Sequence, residues 1–397
     1  MKWLIKLLSS LFKHHHHKPP TGCHPEYIGK GNAPGFPNDR PVVGERFDHQ
    51  WYLQQNPDVA GDACYHDKPY AHYCDSGRAE GRKPYPATSP VPPPAGKREL
   101  MRIGKESFFS LCRRKDGTLL AGTYSYPDPN AKIYNVNTHQ LWHTYAGVGE
   151  SVFCMLDDGN HFWTACEDKG MTFVDHRPYV TMPPSHQWRG AYTVQTIMGK
   201  TVFVNAGSVY VDGVGEVLRW GNYHNKNIVE WMGSAYVVGY NYDRDQGCVF
   251  RTPDLLNWKE SNAPTGWRFM DAATRGDDKV YLVGTVNYRG GKHHRDSAAL
   301  FVTHDMINFQ LIRTFTGFDY ISKIRAGDTG RIVFGTTRGW RSQKPGCDLY
   351  EVTINGNINK LANFKDAELR DIIIEKNKII VATRTDTIGG SVWEVYN

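Results

Sequence analysis

The chain lacks most of the features that settle a function at sight. Its eight cysteines, at 23, 64, 74, 112, 154, 166, 248 and 347, contain no CxxC pair and no even framework, which removes thiol exchange motifs and zinc ribbons from consideration. Most of them sit inside strand-like runs and read as small buried hydrophobes of a chain that folds in a reducing compartment. Cys64 and Cys74 alone are near enough in sequence to raise a disulfide, and separation does not decide it. No dense stripe of basic residues appears. The 47 Lys and Arg are nearly balanced by 41 Asp and Glu, for a net charge of +6, and no base-reading module accompanies them, so a nucleic-acid partner is not expected. No apolar run is long enough to span a bilayer. Nor is there a zinc-type histidine pair in the C-terminal three quarters of the chain, since adjacent His293 and His294 point apart on an extended backbone. The four histidines in KHHHHKPP (13–20) lie in a Pro-flanked linker. No metal and no cofactor is expected.

What the chain has is recurrence. TLLAGT (118–123), FWTAC (162–166), VFVNA (202–206), YVVG (236–239), VYLVGT (280–285), IVFGT (332–336) and IIVAT (379–383) share one plan. Each is a short apolar, β-branched or aromatic run that closes on a small residue, and most follow a turn signal such as Asp116-Gly117 or Asp158-Gly159. Their spacing, from about 34 to about 51 residues, is that of propeller blades. Aromatics at 13%, with 39 Gly and 22 Pro, suit a turn-rich all-β chain. The expected fold is a seven-bladed β-propeller over 98–397. Its last repeat supplies only three strands before the chain stops, whereas RELMRIG (98–104) is a strand without a blade. Residues 99–103 are therefore predicted to complete the last blade and close the ring.

Ahead of the propeller the chain falls into four pieces. MKWLIKLLSSLF places Trp3, Leu4, Leu7, Leu8 and Leu11 on one helical face. With the His/Pro run it makes an anchor peptide over 1–20, which would lie on a membrane surface or dock in a protein groove. A cleavable signal fits less well, because Lys6 interrupts the apolar core. Residues 21–46 read as irregular linker and 85–97 as a stiff Pro-rich connector. Between them, 47–84 reads as a small helical module. Asp48 is placed to cap a helix through Gln55, Asn56 a second with Pro57 at its first position, and Lys68-Pro69 starts a third that Gly77 stops. Phe47, Trp51, Tyr52, Tyr70 and Tyr73 supply an aromatic cluster, with His72 as a hydrogen-bonded structural residue.

The same stretch carries YLQQNPDVA (52–60) and HYCDSGRAEGR (72–82). It resembles the short helical module with a YLxxNPDVA…HYxxxGxxEGR pattern that recurs in bacterial secreted or surface proteins and in phage structural proteins. The resemblance covers under a tenth of the chain. It implies attachment and modular architecture, and with them a virion or cell-surface protein as partner through 1–20 and 47–84. Location on a virion or outside the cell follows, with assembly in a reducing cytoplasm in the phage case.

Function in a propeller gathers on loops over the central channel. The loops that lead into the innermost strands hold Trp188-Arg189, Tyr223-His224, Trp267-Arg268, Phe318-Asp319-Tyr320, and Glu368 with Arg370. Those between second and third strands hold Asp243-Arg244, Tyr288-Arg289 with His294, and Trp340-Arg341. Aromatic planes stack on sugar rings and Arg forks bind carboxylates, so an acidic or neutral glycan is the ligand class this face would take. Asp254 with Trp258 and Asp305 with Phe309 form two T-x-D-x-x-N-aromatic copies. They resemble the Asp turn of sialidase-type propellers, which implies a structural turn rather than a catalytic pair. With no catalytic residue assigned, the expectation is a non-enzymatic attachment or recognition protein, a phage virion or bacterial surface component whose loop face binds a glycan or protein. The alternative is a polysaccharide-degrading lyase or glycosidase on the same scaffold, built from His224, Tyr320, His294 and an arginine. A deep mouth with His, Tyr and Arg converging within hydrogen-bond reach would separate the alternative from a shallow binding face.

Overall fold

The computed structural model describes residues 47–84, 96–104, 106–166, 170–181, 190–276, 278–288, 296–327, 330–338, 346–385 and 389–396. The anchor peptide and the histidine run lie outside the described residues, as do Trp188, Arg189, Arg289, His294, Trp340 and Arg341. The chain divides into two compact units, 1–95 and 96–397.

In the first unit, helix α1 (His49–Gln55) starts where the Asp48 carboxylate accepts from the Trp51 amide at 3.0 Å. Helix α2 (Pro57–Ala60) begins at Pro57, but Asn56 does not cap it with its side chain. Its Nδ2 donates to the Tyr52 carbonyl and its Oδ1 accepts from Arg82 at 3.0 Å. Helix α3 (Pro69–His72) runs into a widened turn, Tyr73–Gly77. Arg82 binds Asp58 through two parallel bonds of 2.9 and 2.7 Å, and so ties the two ends of the N-P-D…G-R pattern together. A Cβ on Gly77 would stand 2.1 Å from the Tyr52 hydroxyl, which makes glycine obligatory there. That hydroxyl bonds to His72 at 3.0 Å, and Phe47 packs its ring against Tyr52, Tyr70 and Tyr73. Every motif residue in this set thus has a structural duty.

The second unit is a seven-bladed propeller of four-stranded antiparallel sheets. Blades 1 to 6 are sequential, spanning 107–145, 152–181, 191–219, 223–265, 268–315 and 320–365. Blade 7 takes its three inner strands from Glu368–Glu375, Lys378–Thr385 and Gly389–Tyr396, and its outermost from Gly96–Ile103. The register runs from Gly96 opposite Tyr396 to Ile103 opposite Gly390, so the two ends of the domain are hydrogen-bonded to each other. All seven recurrent runs are second strands. Their side chains fill seven separate apolar clusters, each shared by two adjacent blades. The cluster between blades 7 and 1 includes Met101 of the closing strand, so closure buries apolar surface as well as an edge.

At Gly239 and Gly284 the small residue that ends the run has a backbone cause, while Gly122 and Gly335 make room for side chains, those of Ser110 and Val152 and that of Leu369. Every innermost strand carries a β-bulge near its start, at Phe108/Ser110, Val152/Cys154, Ala191/Thr193, Asn225/Asn227, Phe269/Asp271, Ile321/Lys323 and Leu369/Asp371. The bulged backbone leans onto its partner strand. A Cβ on Gly239 would lie 2.4 Å from the His224 carbonyl oxygen, and one on Gly284 1.8 Å from that of Arg268.

Candidate functional site

A bulge leaves one residue unpaired and re-aims its side chain. Here those residues are Phe109, Phe153 and Tyr192 on blades 1 to 3, then Lys226, Met270, Ser322 and Arg370 on blades 4 to 7. All seven are partly exposed, while the residue before each is buried. They are the side chains that the inner strands present to the central channel.

Just below this ring, a polar belt stitches the innermost strands together. Gln195 donates to Asn227 at 2.7 Å, and Asn227 donates in turn to Asp271. Arg325 bridges Asp271 at 2.7 Å and Asp371 at 3.0 Å, and Asp371 accepts from the Leu111 amide at 2.9 Å. With Asp271 1% exposed, the belt is a paired, satisfied network of the kind that fixes neighbouring elements in register.

At the mouth, blades 3, 4 and 5 bring together a cluster around His224. The imidazole is 3% exposed. Its Nδ1 meets the hydroxyls of Tyr242 at 2.6 Å and Tyr240 at 2.9 Å, and its Nε2 meets the Tyr192 hydroxyl and the Lys226 ammonium, the latter at 2.9 Å. An ammonium only donates, so Nε2 accepts and the ring proton sits on Nδ1, held by the tyrosine oxygens. Tyr240 faces His224 directly across the strand pair. Burial pushes the Tyr240 hydroxyl well above the ordinary tyrosine value, and the neighbouring Tyr242 hydroxyl adds to this against the pull of Arg268. Tyr240 therefore stays a hydroxyl. Tyr288 is raised for the same first reason, burial, again opposed by Arg268.

Among the described residues Arg268 is the largest fully buried side chain, 1% exposed. Its guanidinium lies 4.0 Å from the Tyr240 ring centre and also over the Tyr288 ring, with Asp245 at 3.3 Å. Burial lowers its pKa, and the surrounding tyrosines and Asp245 partly restore it. Such a cation fixes the tyrosines by cation–π contact rather than meeting a ligand. Trp267 packs on Phe301 against the core between blades 4 and 5, and the Tyr223 hydroxyl turns away to Glu260 at 2.8 Å. Of the residues read from the sequence as a ligand face, His224 is thus in the cluster, Arg268 and Tyr288 lie beneath it, and Trp267 and Tyr223 are framework.

A second group lies across the mouth on blades 6, 7 and 1. Arg370 bonds Glu368 and stands 4.5 Å from the Phe109 ring centre, and Arg384 stands 4.7 Å from that of Tyr124. Burial lifts Tyr320 to about 12, with Glu368 adding to the shift and Arg370 opposing it. Asp319 sits beside it in the connection between blades 5 and 6, its amide bonded to the Thr337 carbonyl. A surface depression of about 290 Å³ where the chain enters blade 4 is lined by Trp220, Asn222, Tyr223, Asn241, Asp243 and Arg244, and includes neither His224 nor Lys226.

Asp254 accepts from the amides of Leu256 and Asn257 at 2.9 and 2.8 Å, and Asp305 from those of Ile307 and Asn308 at 2.9 and 2.7 Å. Both turns join third and fourth strands, at the end of the propeller away from His224. Trp258 and Phe309 pack into the clusters between blades 3 and 4 and between blades 4 and 5. Cys64 and Cys74 are not joined in a disulfide. Among the described residues, no three His, Cys, Asp or Glu side chains gather as a metal site. Sequence reasoning missed Tyr192, Lys226, Tyr240 and Tyr242. The signal that could have found them is the small residue closing each second strand, which marks the bulge opposite.

No family model matches the chain, and no curated protein matches it. Solved structures do. A catalytically inactive variant of virginiamycin B lyase from Staphylococcus aureus, with quinupristin, is 13% identical over 76% of this chain and 99% of that one, with a TM-score of 0.57. The selenomethionine form of the same lyase gives 12% over 76% and 98%, with a TM-score of 0.54. The WD40 repeats of RRP9 give 12% over 77% and 98%, also with a TM-score of 0.54. At such identities the likeness is one of fold. The expectation of a non-enzymatic attachment protein is corrected at this point. The structures found are of an enzyme among others rather than of attachment proteins, and at the mouth of blades 3 to 5 His224 has Tyr192, Lys226, Tyr240 and Tyr242 within hydrogen-bond reach, with Arg268 held beneath by tyrosine rings. The sequence reading spread the aromatic and arginine residues over one binding surface, whereas of those on blades 4 and 5 only His224 joins the cluster, and its partners Tyr192 and Lys226 come from bulge positions.

Proposed function

We propose that the protein is a polysaccharide lyase that cleaves an acidic, uronate-bearing glycan at the mouth of the propeller channel. The observation that carries this reading is the meeting of the Tyr192 hydroxyl and the Lys226 ammonium on His224 Nε2, with Tyr192 and Lys226 both on channel-facing bulges. His224 is too buried to touch a polymer. Tyr192 is the partly exposed group, and His224 is the acceptor behind it.

In the proposed reaction the Tyr192 oxygen takes the proton from the carbon next to the uronate carboxylate while its own proton passes to His224 Nε2. The electron pair forms a carbon–carbon double bond as the glycosidic bond β to the carboxylate breaks. The proton then returns through Tyr192 to the departing glycosidic oxygen, so the cluster ends as it began. Lys226 stands where the carboxylate's growing negative charge needs a cation. Tyr240 and Tyr242 hold the Nδ1 proton and so keep the Nε2 lone pair turned to Tyr192 and Lys226, and Lys226 leaves it for the substrate carboxylate as the Tyr192 proton arrives. Hydrolysis by paired carboxylates has less support. Glu368 is held by Arg370, and Asp254 and Asp305 are consumed by their own turns.

The helical module resembles units of bacterial surface and phage structural proteins, and this supports a setting on a virion or at a cell surface, where polysaccharide is met. The same scaffold carries a lyase in the Staphylococcus aureus protein. Incubation with a panel of uronate polysaccharides tests the reading. New ends that absorb in the ultraviolet as unsaturated uronate are expected. New reducing ends without unsaturation would make the enzyme a glycosidase, and no new ends with any acidic glycan would overturn the proposal.

A further inference from the structure

The bulge residues differ in kind around the ring, and the differences are ordered. Phe109, Phe153 and Tyr192 follow one another on blades 1, 2 and 3, with ring centres 5.3 and 5.4 Å apart and planes within 22° and 20°. A cation closes each end of this wall. Arg370 lies 4.5 Å from the Phe109 ring centre, and Lys226 Nζ lies 3.9 Å from that of Tyr192. Outward from Phe109 the aromatic surface continues through Tyr124, at 5.4 Å, to Tyr126, whose ring is stacked 6.4 Å further on and is 65% exposed. The other half of the ring, Met270 and Ser322, offers neither a ring nor a charge.

Nothing in the closure of the propeller requires this order. The seven bulges repeat as backbone, and the inter-blade clusters are filled by the buried residues on either side of them. Three consecutive aromatics, partly exposed, with a cation at each end and a path to solvent at one of them, is a surface that fits an elongated ligand with apolar faces and spaced negative charges. Sugar rings present C–H faces that pack on aromatic side chains, and uronate carboxylates pair with guanidinium and ammonium groups.

We propose that the wall of Phe109, Phe153 and Tyr192 between Arg370 and Lys226 is the chain-binding subsite of the enzyme, seating several consecutive sugars of an acidic glycan on one side of the cleaved bond. This rests on the reading of the His224 cluster as a lyase. It adds that the enzyme acts within long chains, with the polymer approaching over Tyr126 and Tyr124 and its reacting residue at Tyr192 and Lys226. A short oligosaccharide reaches the reacting groups without filling the wall.

The test separates binding from turnover. His224→Ala, which disables the proposed chemistry, serves as the background for affinity electrophoresis of the full chain through gels cast with a uronate polysaccharide or with neutral dextran. Added Phe153→Ala is expected to weaken retention by the acidic polymer about tenfold, and Phe153→Leu, which keeps most of the volume, by nearly as much. In the otherwise unaltered enzyme, both should raise KM for polymer about tenfold, with a smaller loss in kcat, since the Phe153 ring also packs on Tyr192. Equal retention with and without the Phe153 ring, or equal retention by dextran, would overturn the wall as an acidic-glycan subsite even if lyase activity is present. Ring-dependent retention without unsaturated product from any polymer would uphold the wall and overturn the lyase. If Phe153→Ala lowers the melting temperature, Phe153→Leu alone carries the test.

Discussion

The two ends of the propeller use repetition in opposite ways. At the end that holds Asp254 and Asp305, the same turn is built twice with the same residues, and each carboxylate is taken up by amides two and three residues on. At the mouth, the same backbone bulge is built seven times and filled with Phe, Phe, Tyr, Lys, Met, Ser and Arg. Repeated side chains on repeated backbone mark what each blade needs in order to fold. Unlike side chains on repeated backbone mark what the blades do together, because only their combination around the channel has a consequence.

The largest effect expected from this contrast is on turnover. Tyr192→Phe removes the hydroxyl on His224 Nε2 and keeps the ring of the wall. It should cut kcat by about 10³-fold, within the range usual for loss of a general base, without a change in melting temperature. Steady-state release of unsaturated ends and a thermal melt measure the two halves of that statement. A tenfold loss or less would leave Tyr192 as wall only. Lys226→Met should follow at about 10²-fold, mainly in kcat, since its cation is asked to meet charge that grows in the transition state.

Next in size is a fold effect at the belt beneath the ring. Arg325→Leu leaves the carboxylates of Asp271 and Asp371 facing each other without their cation, at a cost of about 3 kcal/mol. Denaturant unfolding should report it. The belt lies on inner strands that also carry the ring, so activity should fall in parallel with folded fraction and no faster. A disproportionate loss of activity would place Arg325 in the site.

How much of this was legible without coordinates follows from the same contrast. The seven second strands could be read because apolar alternation and a closing small residue recur in each of them. The closing strand could be read because 98–104 had no blade and blade 7 had no fourth strand. Asp48 and Pro57 placed two helix starts, since capping is local, although Asn56 was given to Arg82 instead. The site was only half legible. His224 and Arg370 were picked out by chemistry, but Tyr192 and Lys226 were not, because a bulge breaks the two-residue period on which inside and outside are assigned. Tyr240 and Tyr242 sit in a run that reads as plain strand. Arg268 was read as a surface fork and is almost wholly buried, since the rings that shelter it come from the second strand of the preceding blade and from a later loop.

The smallest effects belong to the turn end, and they sharpen the comparison most cleanly because activity should not move. Asp305→Ala should cost about 1 kcal/mol through lost turn hydrogen bonds, with kcat and KM as in the parent. Acid should reveal the same turn. Partial burial favours the protonated form of Asp305, but the amides of Asn308 and Ile307, with the Asn308 and Thr303 side chains, outweigh it and hold the carboxyl at about 2 against an ordinary 3.8. A depressed folded value contributes stability that is complete above the ordinary value and is lost as pH falls toward the folded one. The turn should therefore begin to weaken below about pH 4 and be spent near pH 2, by a modest amount, because the carboxylate is solvent-exposed. Comparing the melting temperature of the parent and of Asp305→Asn between pH 5 and pH 2 isolates it. The gap between them should narrow as pH falls, and a gap that stays constant would mean that the carboxylate does no more at this turn than a neutral amide.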